Sequence, residues 1–155
     1  MGHKKVKVLD GGFPKWVKEG LPVESCDRDF KADDFGYSLQ TDKVWNLENV
    51  KAFESAPDSC TLIDVRGPDE FNSGSISGAQ NIPVGKLINM DSKTLKSPEE
   101  RAKVLEEAGV DLSNDITLSC KGGIASTVGY AAISELAKGK VAVYDGSWAE
   151  YSKNL

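Results

Sequence analysis

From residue 42 onward, short apolar runs alternate with longer segments whose apolar residues recur every three or four positions. The short runs predict buried β-strands, and the longer segments predict amphipathic helices. The predicted strands are 44–45, 61–66, 79–83, 116–119 and 141–144. Strands that alternate with helices predict an α/β fold, a doubly wound parallel sheet flanked by helices.

Capping signals place the predicted helices between these strands. Asn46 precedes a helix expected from 47 to 55, and Ser97 opens a capping box for a helix from 98 to 108. A third helix, with small and apolar residues on one face, is expected from 125 to 138. In parallel α/β sheets ligands bind beyond the carboxyl ends of the strands, so the segment after residue 119 is the first place to look for a site.

The two ends of the chain resemble each other. Residues 6–13 read Val-Lys-Val-Leu-Asp-Gly-Gly-Phe, and residues 141–148 read Val-Ala-Val-Tyr-Asp-Gly-Ser-Trp. Trp16 then matches Tyr151, three residues further on in both copies. Each copy predicts a short strand, an Asp-Gly turn and the start of a helix that carries aromatic anchors.

This repeat suggests a domain organisation. We interpret residues 1–20 as the tail of a preceding, mostly absent domain, 21–41 as a linker and 42–155 as the catalytic domain. The alternative is an ordinary strand and helix at the start of a single domain. Without its parent domain, the strand at 6–9 is expected to dock on the remaining domain, to pair with another chain or to be mobile.

Composition narrows the function classes. The 155 residues suffice for one domain with a real core, and the net charge of −5 argues against a nucleic-acid partner. No apolar run approaches the ~20 residues of a membrane helix. No apolar stretch follows the start Met, so we expect no secretory signal and an intracellular protein, cytoplasmic or mitochondrial.

The cysteine and histidine inventory restricts the chemistry further. Cys26, Cys60 and Cys120 are odd in number and widely spaced, which predicts free thiols in a reducing compartment. The only histidine, His3, lies in a Met-Gly-His-Lys-Lys start, so neither a metal site nor a Cys-His pair is expected. We interpret Cys26 as a bystander in the linker and Cys60 as a structural residue that precedes its strand.

Candidate chemistry concentrates in the loop Ser119-Cys120-Lys121-Gly122-Gly123-Ile124-Ala125-Ser126, which joins a buried strand to a helix. The two glycines permit a tight turn whose N–H groups converge, and the helix N-terminus adds partial positive charge. Cys120 at the edge of this anion cradle should ionise more readily than a free thiol, and Lys121 adds a full positive charge. The loop therefore predicts a nucleophile that needs no histidine. The competing interpretation is a buried structural cysteine.

Two chemistries use a cysteine in an anion cradle. Cleavage of a phosphate ester needs an Arg six positions after the cysteine, and this chain has Ser126 there, so the bidentate clamp for a phosphate is missing. In sulfur transfer the thiolate takes a sulfane sulfur and holds it as an anionic persulfide, which needs neither Arg nor a separate base. The loop favours sulfur transfer, without a metal or another cofactor.

Several stretches carry a family resemblance: 62–66, Glu70-Phe71, 78–83, the loop from Cys120 to Ala125, the ending 143–151 and the opening 8–16. Together they resemble the rhodanese family of sulfurtransferases, in particular the carboxyl-terminal portion of a tandem-domain thiosulfate or 3-mercaptopyruvate sulfurtransferase. The resemblance implies that Cys120 forms the persulfide. It also implies a small anionic donor, thiosulfate or 3-mercaptopyruvate, and cyanide or a thiol as acceptor.

The chain departs from the family pattern at three places. Thiosulfate-preferring members commonly carry two basic residues after the cysteine and mercaptopyruvate-preferring members carry Gly and Ser, whereas this chain has Lys121-Gly122. Ser75 stands where the family often has His, and the short loop from Gly67 to Gly74 resembles single-domain relatives. The loss of the usual His, the acidic Glu70 and the missing first domain motivate a second hypothesis, a non-catalytic rhodanese-like binding or regulatory module.

The expected substrate-binding residues are Lys121, Gly122, Gly123, Ile124, Ala125, Ser126 and Arg66. Arg66 could attract an anionic donor, or it could order the strand end by pairing with Asp64 or Glu70, and we favour the structural role. Ser126 and Thr127 are expected either to hydrogen-bond the transferred sulfur or to cap the helix.

Overall fold

The structure is a computed structural model that describes residues 2–3, 5–25, 31–32, 34 and 36–155. The strands of the described part are β1 (Val44–Trp45), β2 (Thr61–Asp64), β3 (Gln80–Asn81), β4 (Ile116–Ser119) and β5 (Val141–Tyr144). They form one parallel sheet in the order β1-β5-β4-β2-β3. This confirms the predicted parallel α/β architecture.

Two strands are shorter than the apolar runs predicted. In the run 61–66, β2 ends at Asp64; Val65 still bonds to the Ser119 carbonyl, but the Arg66 N–H bonds to the Asp64 side chain instead of to a neighbouring strand. The run 79–83 is reduced to Gln80–Asn81. Both chain segments leave the sheet at the edge where β4 also ends.

The α-helices are α1 (Gly12–Lys18), α2 (Leu47–Ser55), α3 (Pro68–Asn72), α4 (Pro98–Glu107), α5 (Ile124–Ile133) and α6 (Ser147–Tyr151). Short 3-10 helices lie at Thr41–Lys43, Pro57–Ser59 and Val84–Lys86. Asn46 and Ser97 form the capping boxes that open α2 and α4, as predicted.

Two helix predictions need correction. The helix expected at 125–138 ends at Ile133 and continues as turns to Ala137, after which the Lys138 N–H bonds to the Leu112 carbonyl outside the helix. The segment from Gly67 to Gly74 was interpreted as a loop but contains α3. Its proline at the first helical turn, followed by two acidic residues, is the local signal for a helix start.

Separate cores cover the two faces of the sheet, as alternating strand residues require. Leu62 belongs to one core and Ile63 to the other. The core beside α4 and α5 contains Ile63, Val65, Leu105, Leu118 and Ile133 among others, and the core beside α2 and α6 contains Val50, Phe53, Leu62, Tyr144 and Tyr151. In the described part of the chain, no helix combines the length and the apolar character needed to cross a membrane.

The predicted strand at residues 6–9 is wrong. These residues have no strand pairing, and Val6, Val8 and Leu9 are largely exposed, because an isolated strand has no ladder to join. The N–H of Leu95 donates to Asp10 Oδ1 at 2.9 Å, so the segment docks on the sheet domain just before α1. Cys26, interpreted as a linker bystander, lies outside the described residues.

Candidate active site

The residues that follow the three central strands, β2, β4 and β5, lie at the same edge of the sheet. Arg66 comes two residues after β2, Cys120 directly after β4 and Ser147 three residues after β5. A cavity of about 690 Å³ opens at this edge, and Cys120 lies at its floor. Cys120 is 3% exposed and one side of it contacts the apolar core. The cysteine is therefore deeper than the predicted position at the edge of the cradle.

Helix α6 sets the orientation of the loop that carries Cys120. The Trp148 N–H donates to the Cys120 carbonyl at 3.0 Å, and the Ala149 N–H donates to the Lys121 carbonyl at 2.9 Å. Gly123 precedes α5 in a left-handed conformation, with φ of 85°. These two bonds hold the first carbonyls of the loop on the side of α6.

The donors around Cys120 together lower the pKa of its thiol by more than burial raises it. Burial alone would raise the pKa of the thiol, and it is the largest single influence. The Ser126 hydroxyl, the Ser126 and Gly122 N–H groups and the Ser147 hydroxyl are potential donors near the sulfur, and together they lower the pKa below its ordinary value. The thiolate is thus stabilised by neutral donors, without a histidine.

The Ser126 side chain faces two acceptors. It is buried at the first turn of α5, donates to the Gly123 carbonyl at 2.7 Å and also lies beside the sulfur. A hydroxyl has one proton to donate, so Ser126 can bond only one of these two acceptors at a time. Thr127 makes only the cap-like bond, to the Ile124 carbonyl at 2.7 Å, and its side chain is exposed.

Ser126→Ala is expected to raise the pKa of Cys120, because one of the donors that stabilise the thiolate is lost. A raised pKa means less thiolate at neutral pH, so alkylation by iodoacetamide should slow at pH 7 and recover at high pH. The measurement is the alkylation rate as a function of pH. Thr127→Ala is the matched control, since it removes a similar bond to a carbonyl without touching the sulfur. Identical profiles for the two variants would contradict this account.

Ser147 is a site residue that the sequence analysis missed. Its Oγ accepts from the Cys120 N–H at 3.1 Å, donates to the Tyr144 carbonyl at 2.8 Å and lies 3.9 Å from the Cys120 Sγ. Its backbone is left-handed, with φ of 50°, which is uncommon outside glycine. The repeat could have drawn attention to Ser147, because the equivalent position in the first copy is Gly12, which has a φ of 58°. A serine kept in a conformation that suits glycine points to a role for its hydroxyl.

Arg66 pairs with Asp64, which is one of the two partners expected for Arg66 in a structural role. Its guanidinium makes bonds of 2.7 to 3.0 Å to the buried Asp64 carboxylate and donates to the Gly74 carbonyl at 2.7 Å. The Trp148 ring lies 4.9 Å from the guanidinium carbon. Arg66 thus ties the end of β2 to α6 while one side of it borders the cavity.

Lys121 stands at the mouth of the cavity opposite an acidic residue. Its Nζ lies 4.0 Å from the Glu70 Oε1, and both side chains are largely exposed. Glu70 comes from α3, the helix that the sequence analysis missed. The positive charge predicted beside the cysteine is present, with a negative charge next to it.

The predicted site residues occupy two positions around the cysteine. Arg66, Lys121, Gly122, Ile124 and Ala125 line the cavity, whereas Gly123 and Ser126 support the loop from behind. Cys60 does not line this cavity, and burial raises its pKa to about 11. No group of three or more potential metal ligands was found within the described ranges.

The structure combines a parallel α/β sheet with a cysteine loop that joins a central strand, β4, to the N-terminus of α5. The chain belongs to the rhodanese-like domain family, which it matches over residues 46–154. This confirms the resemblance seen in the sequence.

Individual relatives narrow the comparison. A protein of Mycobacterium tuberculosis H37Rv is 35% identical over 174 aligned residues, which cover 97% of this chain and 59% of that protein. Thiosulfate sulfurtransferase of Gallus gallus is also 35% identical, with 97% of this chain and 54% of that protein covered. The 3-mercaptopyruvate sulfotransferase SseA from Escherichia coli superposes with a TM-score of 0.82 at 26% identity, over 94% of this chain and 57% of that chain. The chain thus spans little more than half the length of these proteins.

Proposed function

We propose that this chain is a sulfurtransferase that carries a sulfane sulfur as a persulfide on Cys120. The observation that carries the proposal is a thiol at a cavity floor whose pKa is lowered by surrounding N–H and O–H donors. N–H groups of the loop residues that line the cavity would likewise suit the terminal sulfur of a persulfide, which is also anionic. The names of the relatives, thiosulfate sulfurtransferase and 3-mercaptopyruvate sulfotransferase, support this chemistry.

In the first half-reaction, Cys120 takes up a sulfur atom from the donor. The Cys120 thiolate attacks the outer sulfur of a donor such as thiosulfate, the S–S bond of the donor breaks, and sulfite leaves with the electron pair. Cys120 is left with a terminal S⁻ that extends into the cavity, which Gly122 lines. Thiosulfate and 3-mercaptopyruvate are the two donors that the family suggests; with 3-mercaptopyruvate the C–S bond breaks instead, and pyruvate leaves as its enolate, which takes a proton from water.

In the second half-reaction, the persulfide on Cys120 passes its outer sulfur to an acceptor. An acceptor, cyanide or a thiolate, attacks the outer sulfur and leaves as thiocyanate or as a new persulfide. The electron pair of the broken S–S bond returns to Cys120 as thiolate. The thiolate is regenerated without proton transfer, so no general base is required at the site.

Each neighbouring residue has a distinct proposed role. Ser147 and α6 position the sulfur, and Gly123 permits the turn that aims the loop amides. Arg66 orders the strand end through Asp64, as proposed from the sequence. Hydrolysis of phosphate esters is disfavoured, because Ser126 is buried behind the loop and Arg66 is already engaged.

Intact-mass spectrometry after incubation with each donor tests the proposal. The expected result is a gain of one sulfur atom, lost again on addition of cyanide with release of thiocyanate. Donors that leave the mass unchanged would overturn the proposal and favour the alternative, a rhodanese-like binding or regulatory module. The domain organisation inferred from the repeat, with residues 1–20 as the tail of a preceding domain, stays a proposal that the partial coverage of the relatives supports.

A further inference from the structure

The charges around the cavity nearly cancel. Among the described residues that line it, Arg66 and Lys121 are positive and Glu70 is negative. Arg66 is already matched by the buried Asp64. A small dianion such as thiosulfate therefore meets little net positive charge at this site, unlike the sites that normally bind such anions.

Neither cation is free to clamp a dianion. The Arg66 guanidinium already serves Asp64, the Gly74 carbonyl and the Trp148 ring. The Lys121 Nζ lies 4.0 Å from the Glu70 carboxylate and extends into solvent, where its charge is screened. Glu70 offsets the positive charge of Lys121, so this pair offers no net attraction to a second negative charge that approaches Cys120 through the mouth of the cavity.

The walls of the cavity are largely apolar. Val65, Val84, Ala125 and Val128 line it together with Ile124, which is 82% exposed directly beside the loop. An apolar surface of this kind is stabilised when a ligand with an apolar body covers it. Thiosulfate has no such body.

Resting on the proposed function, we infer that the site selects sulfur donors with one negative charge and an apolar body, and that Glu70 sets this selectivity. An organic thiosulfonate, R–SO₂–S⁻, has this chemistry. The Cys120 thiolate attacks its outer sulfur, the S–S bond breaks, and a sulfinate leaves with the electron pair. Cys120–S⁻ and R–SO₂–S⁻ thereby become Cys120–S–S⁻ and R–SO₂⁻, with charge and atoms balanced.

Kinetics with two donors tests the inference. We expect kcat/KM to be higher for benzenethiosulfonate than for thiosulfate. Glu70→Gln should narrow this ratio about three- to tenfold, the effect of one unit charge a few ångströms away on ligands that differ by one charge. The change should fall mainly on the KM for thiosulfate and should shrink at high salt.

Asp69→Asn is the matched control, because it removes the same charge from the first turn of α3 at an exposed residue that does not line the cavity. Its ratio should equal that of the original chain. A preference for thiosulfate, or an equal ratio in Glu70→Gln and Asp69→Asn, would overturn the inference while leaving sulfur transfer intact.

Binding of unreactive analogues separates this inference from the proposed function. Benzenesulfonate and sulfate can be titrated into the protein with NMR detection of the Gly122 and Ile124 amides, whether or not sulfur is transferred. Tighter binding of benzenesulfonate, with sulfate binding improved only in Glu70→Gln, supports the selectivity even if every donor fails to charge Cys120. Equal binding of the two anions would overturn it.

Discussion

Cys120→Ser is expected to abolish persulfide formation and to lower sulfur transfer by at least about a thousandfold, as removal of a nucleophile does in other enzymes. A serine hydroxyl at the same place stays protonated near neutral pH, so the donors that stabilise the Cys120 thiolate have no anion to stabilise. The measurements are thiocyanate release with cyanide as acceptor and the intact mass after exposure to the donor.

Cys60→Ser provides the control for that experiment. Cys60 does not line the cavity, and burial raises its pKa to about 11, so it holds little thiolate near pH 7. This variant should gain the sulfur and keep its activity within about twofold, as expected for a residue away from the site. Persulfide on Cys120→Ser, or its loss in Cys60→Ser, would contradict the assignment.

Local signals explain why the sheet and two helix starts were predictable. Leu62 and Ile63 are apolar at successive positions because both faces of the sheet are covered, and all four residues of β4 are buried for the same reason. Asn46 and Ser97 cap their helices through side chains within three residues. The loop between β4 and α5 could be singled out as a candidate site for the same reason, since Cys120, Gly122 and Gly123 are consecutive or nearly so.

Features that depend on distant residues were not predictable in this way. The strand expected at residues 6–9 needed a neighbouring strand, which the described structure does not provide. Ser147 reaches the Cys120 N–H across 27 positions, and Glu70 reaches Lys121 from another element. Both contacts arise because parallel strands end at one edge, and the residue pattern does not encode which side chains then meet there.

Gly123→Ala is expected to disrupt both the fold and the site. A Cβ at this position would lie 2.5 Å from the Asp145 carbonyl oxygen, and the φ of 85° is unfavourable for alanine. Strain and steric overlap together should cost about 2–4 kcal/mol in free energy of unfolding, which lowers Tm by about 6–12 °C in a chain of this size. Movement of the loop by even 1 Å would lower sulfur transfer by about a hundredfold in the protein that remains folded.

Gly122→Ala is the matched control for stability, because no atom lies within 4 Å of a Cβ at Gly122 and its φ is not positive. The added methyl group should leave the free energy of unfolding unchanged or raise it by up to about 1 kcal/mol, since alanine restricts the unfolded chain. Thermal unfolding of the two variants side by side is the measurement. Equal Tm values would mean that the loop can move away from the Asp145 carbonyl at little cost, and that the amides around Cys120 are not held by this turn. A low Tm for Gly123→Ala alone would instead show that the close contact between Gly123 and the Asp145 carbonyl, just after β5, stabilises the fold as well as the turn beside Cys120.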